Sequence, residues 1–162
     1  MLKLTLLALL AIFPAVIFAR VNHFECVNSH SAANRPPAPA WVEVEGCSGA
    51  TCNVPNGRPT VLSAAFAPIT SHTALHFWVT VWLLGIPIPI DQPEGLDDAC
   101  ILIEGGCPVN AGQGETVATM NFQQTSPLAG LSVRIEVDLR DSNTQQSVVC
   151  GGVQVTVTAA EE

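Results

Sequence analysis

Residues 73–84 read TALHFWVTVWLL and indicate the architecture expected of the whole chain. Side chains alternate along this stretch between two faces, with Leu75, Phe77, Val79, Val81 and Leu83 on one and His76, Trp78, Thr80, Trp82 and Leu84 on the other. Alternation at period two, with β-branched and aromatic residues, is typical of a β-strand. Because both faces are largely apolar, the sequence predicts a strand that is covered on both sides, unlike a half-solvated antiparallel strand.

The residues that follow, Gly85-Ile86-Pro87-Ile88-Pro89-Ile90, predict a different kind of extended segment. Prolines two residues apart have no N–H to donate and cannot pair in the middle of a sheet. The segment should therefore be stiff, and it should display its three isoleucines in alternation.

Six more stretches on either side carry the strand signal, between turns rich in Gly, Pro, Asn and Asp. They are residues 21–27, 41–45, 60–67, 115–124, 131–140 and 147–158. In residues 131–140 the inward set is Leu131, Val133, Ile135, Val137 and Leu139, and the outward set is Ser132, Arg134, Glu136, Asp138 and Arg140. About seven short strands without helical periodicity predict an all-β fold, an immunoglobulin-like antiparallel β-sandwich.

Six cysteines predict a disulfide framework: Cys26, Cys47, Cys52, Cys100, Cys107 and Cys150. Six cysteines allow fifteen pairings. Cys47 with Cys52 and Cys100 with Cys107 are near enough in sequence to close their own loops, which leaves Cys26 to pair with Cys150. Zinc binding is the alternative, but these spacings are not those of the usual short zinc motifs.

Residues 1–19 predict a secretory signal peptide, followed by one domain over residues 20–162. Lys3 supplies a positive charge, an apolar run extends to Phe18, and the small Ala19 marks the expected cleavage point. A transmembrane anchor is the alternative, but the run is shorter than the ~20 residues a bilayer span needs, and Pro14 interrupts it. The expected location is therefore secreted and extracellular, with the lysosome as a second compartment.

Charge and motif content argue against several functions. After cleavage of the predicted signal peptide, which contains Lys3, the remaining chain would carry five arginines against fourteen acidic residues. Such an acidic surface has no electrostatic footprint for nucleic acid. No G-x-S-x-G motif is present, and His72 and His76 would lie ~13 Å apart on a strand, too far to share a metal. Gly151 and Gly152 indicate relief of backbone crowding rather than a phosphate loop. We expect no enzyme, no metal and no cofactor.

The apolar inner faces of a sandwich have two alternative uses. Sheets about 10 Å apart are filled by their side chains, which gives only a stable core. Sheets that splay leave the same residues around a cavity, and an empty cavity would cost ~24 cal/mol per Å³. The patterning does not distinguish the two, although charged residues are only 12% of the chain, which suggests a large interior.

Several motifs resemble the ML lipid-recognition family. They are Gly85-Ile86-Pro87-Ile88-Pro89-Ile90 after an apolar strand, Cys100, Cys107-Pro108-Val109, Leu139-Arg140-Asp141 and Val149-Cys150. That family includes the soluble cholesterol-transfer protein of Niemann–Pick type C disease, its arthropod relatives and the mite group 2 allergens. The resemblance covers essentially all of residues 20–162, and it implies a sandwich whose two sheets part around an apolar ligand. It also implies the cysteine pairing given above.

The resemblance further implies which residues contact lipid. The family's gate positions fall on Ile88 and Ile90. Positions that face the ligand fall on Leu62, Ala64, Phe66, Phe77, Val79, Val81, Leu83, Met120 and Phe122. Trp82 and Leu84 match positions near the mouth, where a membrane or a receptor is contacted.

The function expected from these features is a secreted, monomeric carrier. It would hold a sterol, fatty acid or similar lipid in an apolar cavity between the sheets and transfer it to a membrane or a lipid receptor. Two alternatives stay open. One is innate-immunity recognition of microbial lipids, against which the lack of a basic rim for phosphate argues. The other is an adhesion or interaction sandwich with a filled core, docking through Trp82 and Leu84.

Overall fold

In a computed structural model, the described residues 19–27, 29–50, 52–123 and 129–159 form a two-layered β-sandwich. The predicted signal peptide, apart from Ala19, lies outside the described residues. Within them no helix has the length and hydrophobicity of a transmembrane span. Nine strands form there: β1 His23–Glu25, β2 Trp41–Val44, β3 Cys52–Pro55, β4 Pro59–Phe66, β5 Leu75–Leu83, β6 Ile86–Ile88, β7 Thr116–Gln123, β8 Ser132–Asp141 and β9 Ser147–Thr158.

Two sheets divide these strands unequally. The larger sheet has the order β1-β9-β8-β5-β6, with β3 also paired to β9, and the smaller has the order β2-β4-β7. Neighbours are antiparallel except β3, which runs parallel to β9. The predicted all-β sandwich is therefore confirmed. The sequence pattern missed β3 and β6, because both are short, contain proline and depend on pairing with a distant or longer strand.

Alternation along the strands builds the core between the sheets. On β5 the inward set is buried as predicted: Leu75, Phe77, Val79 and Val81. On β8 the inward set includes Val133, Ile135 and Leu139, all buried. Each fully buried aliphatic or aromatic side chain contributes about 1.5–3 kcal/mol to folding, so these two strands supply much of the hydrophobic stabilisation.

The turn between β5 and β6 projects an apolar tip. Leu83 pairs with Ile86, so the loop consists of Leu84 and Gly85 alone. Both have positive φ, 51° and 80°, as a two-residue type I′ hairpin turn requires. Glycine adopts this conformation freely, whereas it is uncommon for a residue with a Cβ. Leu84 is nevertheless placed there, 94% exposed.

Three disulfides fasten the sandwich. Cys26–Cys150 joins the end of β1 to β9 across 124 residues of sequence. Cys47–Cys52 joins the chain after β2 to β3, and hence the smaller sheet to the larger. Cys100–Cys107 closes the loop around the 3₁₀ turn Ala99–Leu102. In a loop-entropy description a closure as long as the first contributes about 4.7 kcal/mol. These are the three pairs that the spacing favoured.

Candidate lipid-binding cavity

Two adjoining cavities lie between the sheets. The larger, which we call the Pro39 cavity, has a volume of about 40 Å³. Both sheets contribute to its wall, which consists of Pro39, Val42, Leu62, Ala64, Phe66, Phe77, Ala118, Met120, Val137, Leu139, Val149, Gly151 and Val153.

The smaller cavity, which we call the Thr60 cavity, offers about 20 Å³. Its wall consists of Val44, Val54, Thr60, Leu62, Met120, Phe122, Ile135, Val137, Val153 and Val155. Four residues line both cavities and therefore form the partition between them: Leu62, Met120, Val137 and Val153. Met120 is the unbranched, flexible member of this partition.

The far wall of the Pro39 cavity depends on a glycine. A Cβ on Gly151 would lie 2.7 Å from Pro39 Cγ, well inside contact distance, so only glycine lets this proline sit against β9. The Pro39 carbonyl also accepts a hydrogen bond from His23 Nε2 at 2.9 Å. Nearby, the Cys150 N–H donates to the Pro37 carbonyl at 3.0 Å. The loop that leads into β2 is therefore a fixed wall.

The chemistry of the two cavities is uniform. Among the described residues that line them, only Thr60 carries a hydroxyl, and none carries an amide or an ionisable side chain. Such walls provide no group for acid–base or nucleophilic catalysis. They can bind a molecule by removing its apolar surface from water.

The space between the sheets admits only a few atoms. About 10–15 Å³ by this measure holds one water molecule, whereas sites for small ligands usually measure about 300–1,000 Å³. Uptake of a lipid therefore requires the sheets to move apart or partition side chains to rotate. At one margin, the Cys47–Cys52 disulfide joins the two sheets and limits this movement.

The cavities bring together six of the residues that the resemblance assigned to lipid: Leu62, Ala64, Phe66, Phe77, Met120 and Phe122. Val79 and Val81 share the inward face of β5, but they are packed in the core outside both cavities. Leu83, Ile88 and Ile90 are partly buried against that core, also outside the cavities. A lipid contact at any of these eleven residues stays a prediction.

Sequence reasoning missed the walls supplied by β2, β8 and β9, because their inward valines fit a plain core equally well. It also missed Thr60, although this residue is in phase with Leu62, Ala64 and Phe66 on β4 and the same alternation would have found it. Pro39 belongs to a loop and no local pattern marks it. Its contact with Gly151 explains the crowding that the paired glycines indicated.

The apolar tip carries the residues predicted to meet a membrane or a receptor. Leu84 and Ile86 are exposed, at 94% and 65%. Trp82 is only partly exposed, and its indole Nε1 is buried without a hydrogen-bond partner. Leu84, but not the whole of Trp82, is therefore exposed as the sequence predicted.

The outer face of β8 differs from the prediction. Glu136 and Asp138 were expected to face solvent, yet they are only 1% and 2% exposed, so that prediction is wrong. The loop after β1 covers them, and the backbone N–H and hydroxyl of Ser29 both donate to Glu136. Asp138 accepts hydrogen bonds from His30 at 2.9 Å, Arg140 at 2.7 Å and the Ser147 hydroxyl. We call Glu136, Asp138 and these donors the outer-face network.

Three residues at this face, two of them in the outer-face network, are close enough together to be considered as metal ligands. Atoms of His30, Asp138 and Cys150 lie within 4.8 Å of one another. The Cys150 sulfur is bonded to Cys26, so it cannot act as a thiolate ligand. Two ligands of this group are left, fewer than the three or four protein ligands of typical zinc sites.

The carboxylate of Asp141 accepts the hydrogen bonds that hold the turn between β8 and β9. His72 Nδ1 donates to Asp141 at 2.8 Å, and the backbone N–H groups of Asn143 and Thr144 donate to it at 2.9 and 2.8 Å. These bonds, the one from His72 above all, lower the pKa of Asp141 from 3.8 to about 2. The ionised carboxylate thus ties the turn to the chain just before β5.

Comparisons with known proteins complete the description of the site. The family model described as "ML domain" matches residues 21–157. Among solved structures, a crystal structure of a Niemann–Pick type C2 protein from the Japanese carpenter ant has a TM-score of 0.57 and 14% sequence identity, over 88% of this chain and 93% of that one. At this identity the likeness shows the fold alone. No curated sequence matches the chain significantly.

Proposed function

Because the chain belongs to the ML-domain family, we propose that it is a secreted carrier that takes up a sterol, fatty acid or similar lipid between its two sheets. The observation that carries this proposal is the pair of apolar cavities at the centre of the sandwich. Their described walls are apolar and hold no charged group, a composition that favours burial of a ligand over chemistry on it.

Ligand burial supplies the binding free energy in this proposal. Removing ~300 Å² of apolar ligand surface from water contributes about 7 kcal/mol at ~25 cal/mol per Å². Association and separation of the sheets both oppose binding. The affinity is therefore no tighter than the micromolar range, which suits a carrier that must also release its ligand.

Other features of the chain support export and delivery. Disulfides persist in oxidising compartments, and three of them hold this domain, behind a segment with the pattern of a signal peptide. The exposed Leu84 and Ile86 at the β5–β6 turn provide an apolar contact for a membrane or a lipid receptor during exchange. The proposed carrier acts as a monomer.

The alternative of microbial lipid recognition is less favoured by the structure. Anionic lipid head groups need free basic side chains at the rim of the site. Arg35, Arg134 and Arg140, three of the five arginines after residue 19, are already paired with carboxylates at 2.7–2.9 Å.

Fluorescent probe uptake tests the carrier proposal. The full-length chain is expressed in a secreting host, and the exported protein is stripped of lipid and titrated with N-phenyl-1-naphthylamine. We expect saturable uptake, with displacement of the probe by cholesterol or dodecanoic acid. Ala64→Leu fills the Pro39 cavity and should weaken uptake about tenfold, since overpacking costs about 1–3 kcal/mol. Ala67→Leu, at an exposed position just after β4, is the matched control and should change nothing.

A stripped protein that keeps its native circular dichroism yet takes up neither probe nor lipid would overturn the carrier. That result would favour the interaction sandwich with a filled core, for which the small volume of the two cavities is the supporting observation.

A further inference from the structure

One residue in the described wall of the Pro39 cavity lies outside the strands. The other residues of this wall belong to β2, β4, β5, β7, β8 and β9, whereas Pro39 belongs to the loop that leads into β2. Strands β4, β8 and β9 each lie between two neighbours in their sheets, so displacing any of them breaks backbone hydrogen bonds on both sides. Pro39 is therefore the part of this wall that can move without opening a sheet.

The closed position of the loop depends on few hydrogen bonds. The Pro39 carbonyl accepts from His23 Nε2 at 2.9 Å, and the Pro37 carbonyl accepts from the Cys150 N–H at 3.0 Å. The Ala40 N–H donates to a carbonyl of β4 at 2.7 Å, which holds the start of β2 in place. Release of the first two bonds frees residues 37–39, while the bond of Ala40 is kept and provides a hinge.

The loop is thin where it closes the cavity. Pro39 is buried, but Pro37 and Ala40 on either side of it are exposed. Solvent therefore lies directly behind this wall, and an outward movement of Pro39 connects the cavity to it.

The contact between Pro39 and Gly151 explains why β9 has a glycine at this point. The backbone of Gly151 does not have a positive φ, so its conformation is open to any residue, and glycine in the interior of a strand weakens it. A Cβ here would lie 2.7 and 2.8 Å from Cγ and Cδ of Pro39. The glycine is thus required by the close approach of the proline ring, which closes the cavity by van der Waals contact.

The positions that the family resemblance assigned to a gate do not border either cavity. Ile88 and Ile90 pack against the core outside both sets of wall residues. In this chain, Pro39 is better placed than either isoleucine to open the Pro39 cavity.

We infer that lipid enters and leaves the Pro39 cavity between Pro39 and Gly151, through an opening formed when residues 37–39 swing away from β9 about Ala40. The inference rests on the proposed carrier function and adds the route of exchange to it. It makes His23 a positioning residue that holds the entrance closed through the Pro39 carbonyl.

Stopped-flow fluorescence of N-phenyl-1-naphthylamine, with the exported and lipid-stripped protein, tests this route. Gly151→Ala places a methyl group against the Pro39 ring, and His23→Ala removes the donor to its carbonyl. Association and dissociation of the probe should both become faster in each variant. For His23→Ala the expected factor is about 2- to 10-fold, the ratio for one net hydrogen bond. The equilibrium affinity should change little, because the closed state is weakened with and without the probe alike.

Two matched controls lie on the outer face of the larger sheet. Gly152→Ala, at the next residue of β9, places a methyl group 3.1 Å from a ring carbon of Phe24 and 3.2 Å from Nε of Arg134. His76→Ala removes a histidine hydrogen bond to Ser142. Neither variant should change the rates at which the probe associates and dissociates.

Amide hydrogen exchange provides a readout that needs no ligand. The Cys150 N–H is bonded to the loop, so opening exposes it to water, whereas the amide of Val137 lies on β8 between two strands. Local opening raises the exchange rate of the amides that it exposes and leaves the others protected. The ratio of the Cys150 rate to the Val137 rate should therefore increase in His23→Ala and in Gly151→Ala.

The outcomes that overturn the inference differ from those that overturn the carrier. If wild-type protein takes up the probe but neither Gly151→Ala nor His23→Ala accelerates its exchange, the inference alone fails. It also fails alone if Ile88→Ala accelerates exchange more than both, which would place the entrance at the family's gate. If Gly151→Ala does not fold, His23→Ala decides. If wild-type protein takes up no probe, the carrier function fails and the inference with it.

Discussion

The two faces of strand β8 are buried to a similar extent but by opposite chemistry. The inner face carries Ile135 and Leu139, which meet other hydrocarbon side chains and border the cavities. The outer face carries Glu136 and Asp138, whose charges are matched by donors from the loop after β1 and from the sheet itself. Inner contacts between hydrocarbon side chains are non-directional, whereas outer contacts are directional and costly to break. The interior is the adaptable side of the molecule, and the outer-face network keeps the sheet in shape.

Among variants that test this difference between the two faces, Asp138→Ala should cause the largest loss in the free energy of unfolding. It leaves the donors of the outer-face network without their acceptor, and removing one partner of a buried ion pair typically costs about 3–5 kcal/mol. Urea unfolding measures the loss. Asp97→Ala, in an exposed loop, is the control and should stay within about 0.5 kcal/mol of wild type. A loss below ~1 kcal/mol for Asp138→Ala would show that the outer face is no more rigid than the inner.

Met120→Ala tests the inner face, because Met120 lines both cavities. Truncating this flexible member of the four-residue partition widens the passage between the two cavities. The free energy of unfolding should therefore fall by about 2–5 kcal/mol, while uptake of N-phenyl-1-naphthylamine increases. Val81→Ala is the matched control, because Val81 is buried on the inner face of β5 outside both cavities. It should lose stability without gaining uptake. Equal uptake in the two variants would contradict the assignment of Met120 to the partition.

Acid produces the smallest expected effect, and it acts at the end of β8, through the turn that leads to β9. The pKa of Asp141 is about 2 in the folded chain and about 3.9 in an unfolded one. Its contribution to stability is therefore fully present above about pH 4 and disappears as the pH falls through 2. Asp141→Asn should lower stability at neutral pH and flatten the loss between pH 4 and 2, as measured by urea unfolding across this range. Parallel pH profiles for variant and wild type would contradict the role of Asp141.

Sequence reasoning works for the inner face because each strand encodes it locally. Alternation at period two in residues 73–84 and 131–140 places most of the buried side chains correctly, although Leu131, predicted to point inward, is 42% exposed. Cysteine spacing favours the pairs that form. The same alternation assigned Glu136 and Asp138 to solvent, since a strand does not reveal which loop passes over its other face. Only the path of the chain through Ser29 and His30 buries them.

The site is predictable to a smaller extent than the fold. Resemblance to a family led to Leu62, Phe77 and Met120, which border the cavities, but the end wall at Pro39 comes from a loop distant in sequence from the Gly151 that it contacts. Cavity volume depends on the separation of the two sheets to within an ångström or so. That separation is a sum of many packing contacts, and no local pattern encodes it.

The margins of the larger sheet have a consequence for how the protein behaves in concentrated solution. On one side the last strand is β6, three residues with Pro87 at its centre. On the other side β1 and β3 share the length of β9, with three and four residues. Long rows of free N–H and C=O groups template strand-to-strand growth between molecules, and short, proline-containing rows suppress it. Within the described chain, the margins of this sheet therefore give fibrils little on which to nucleate.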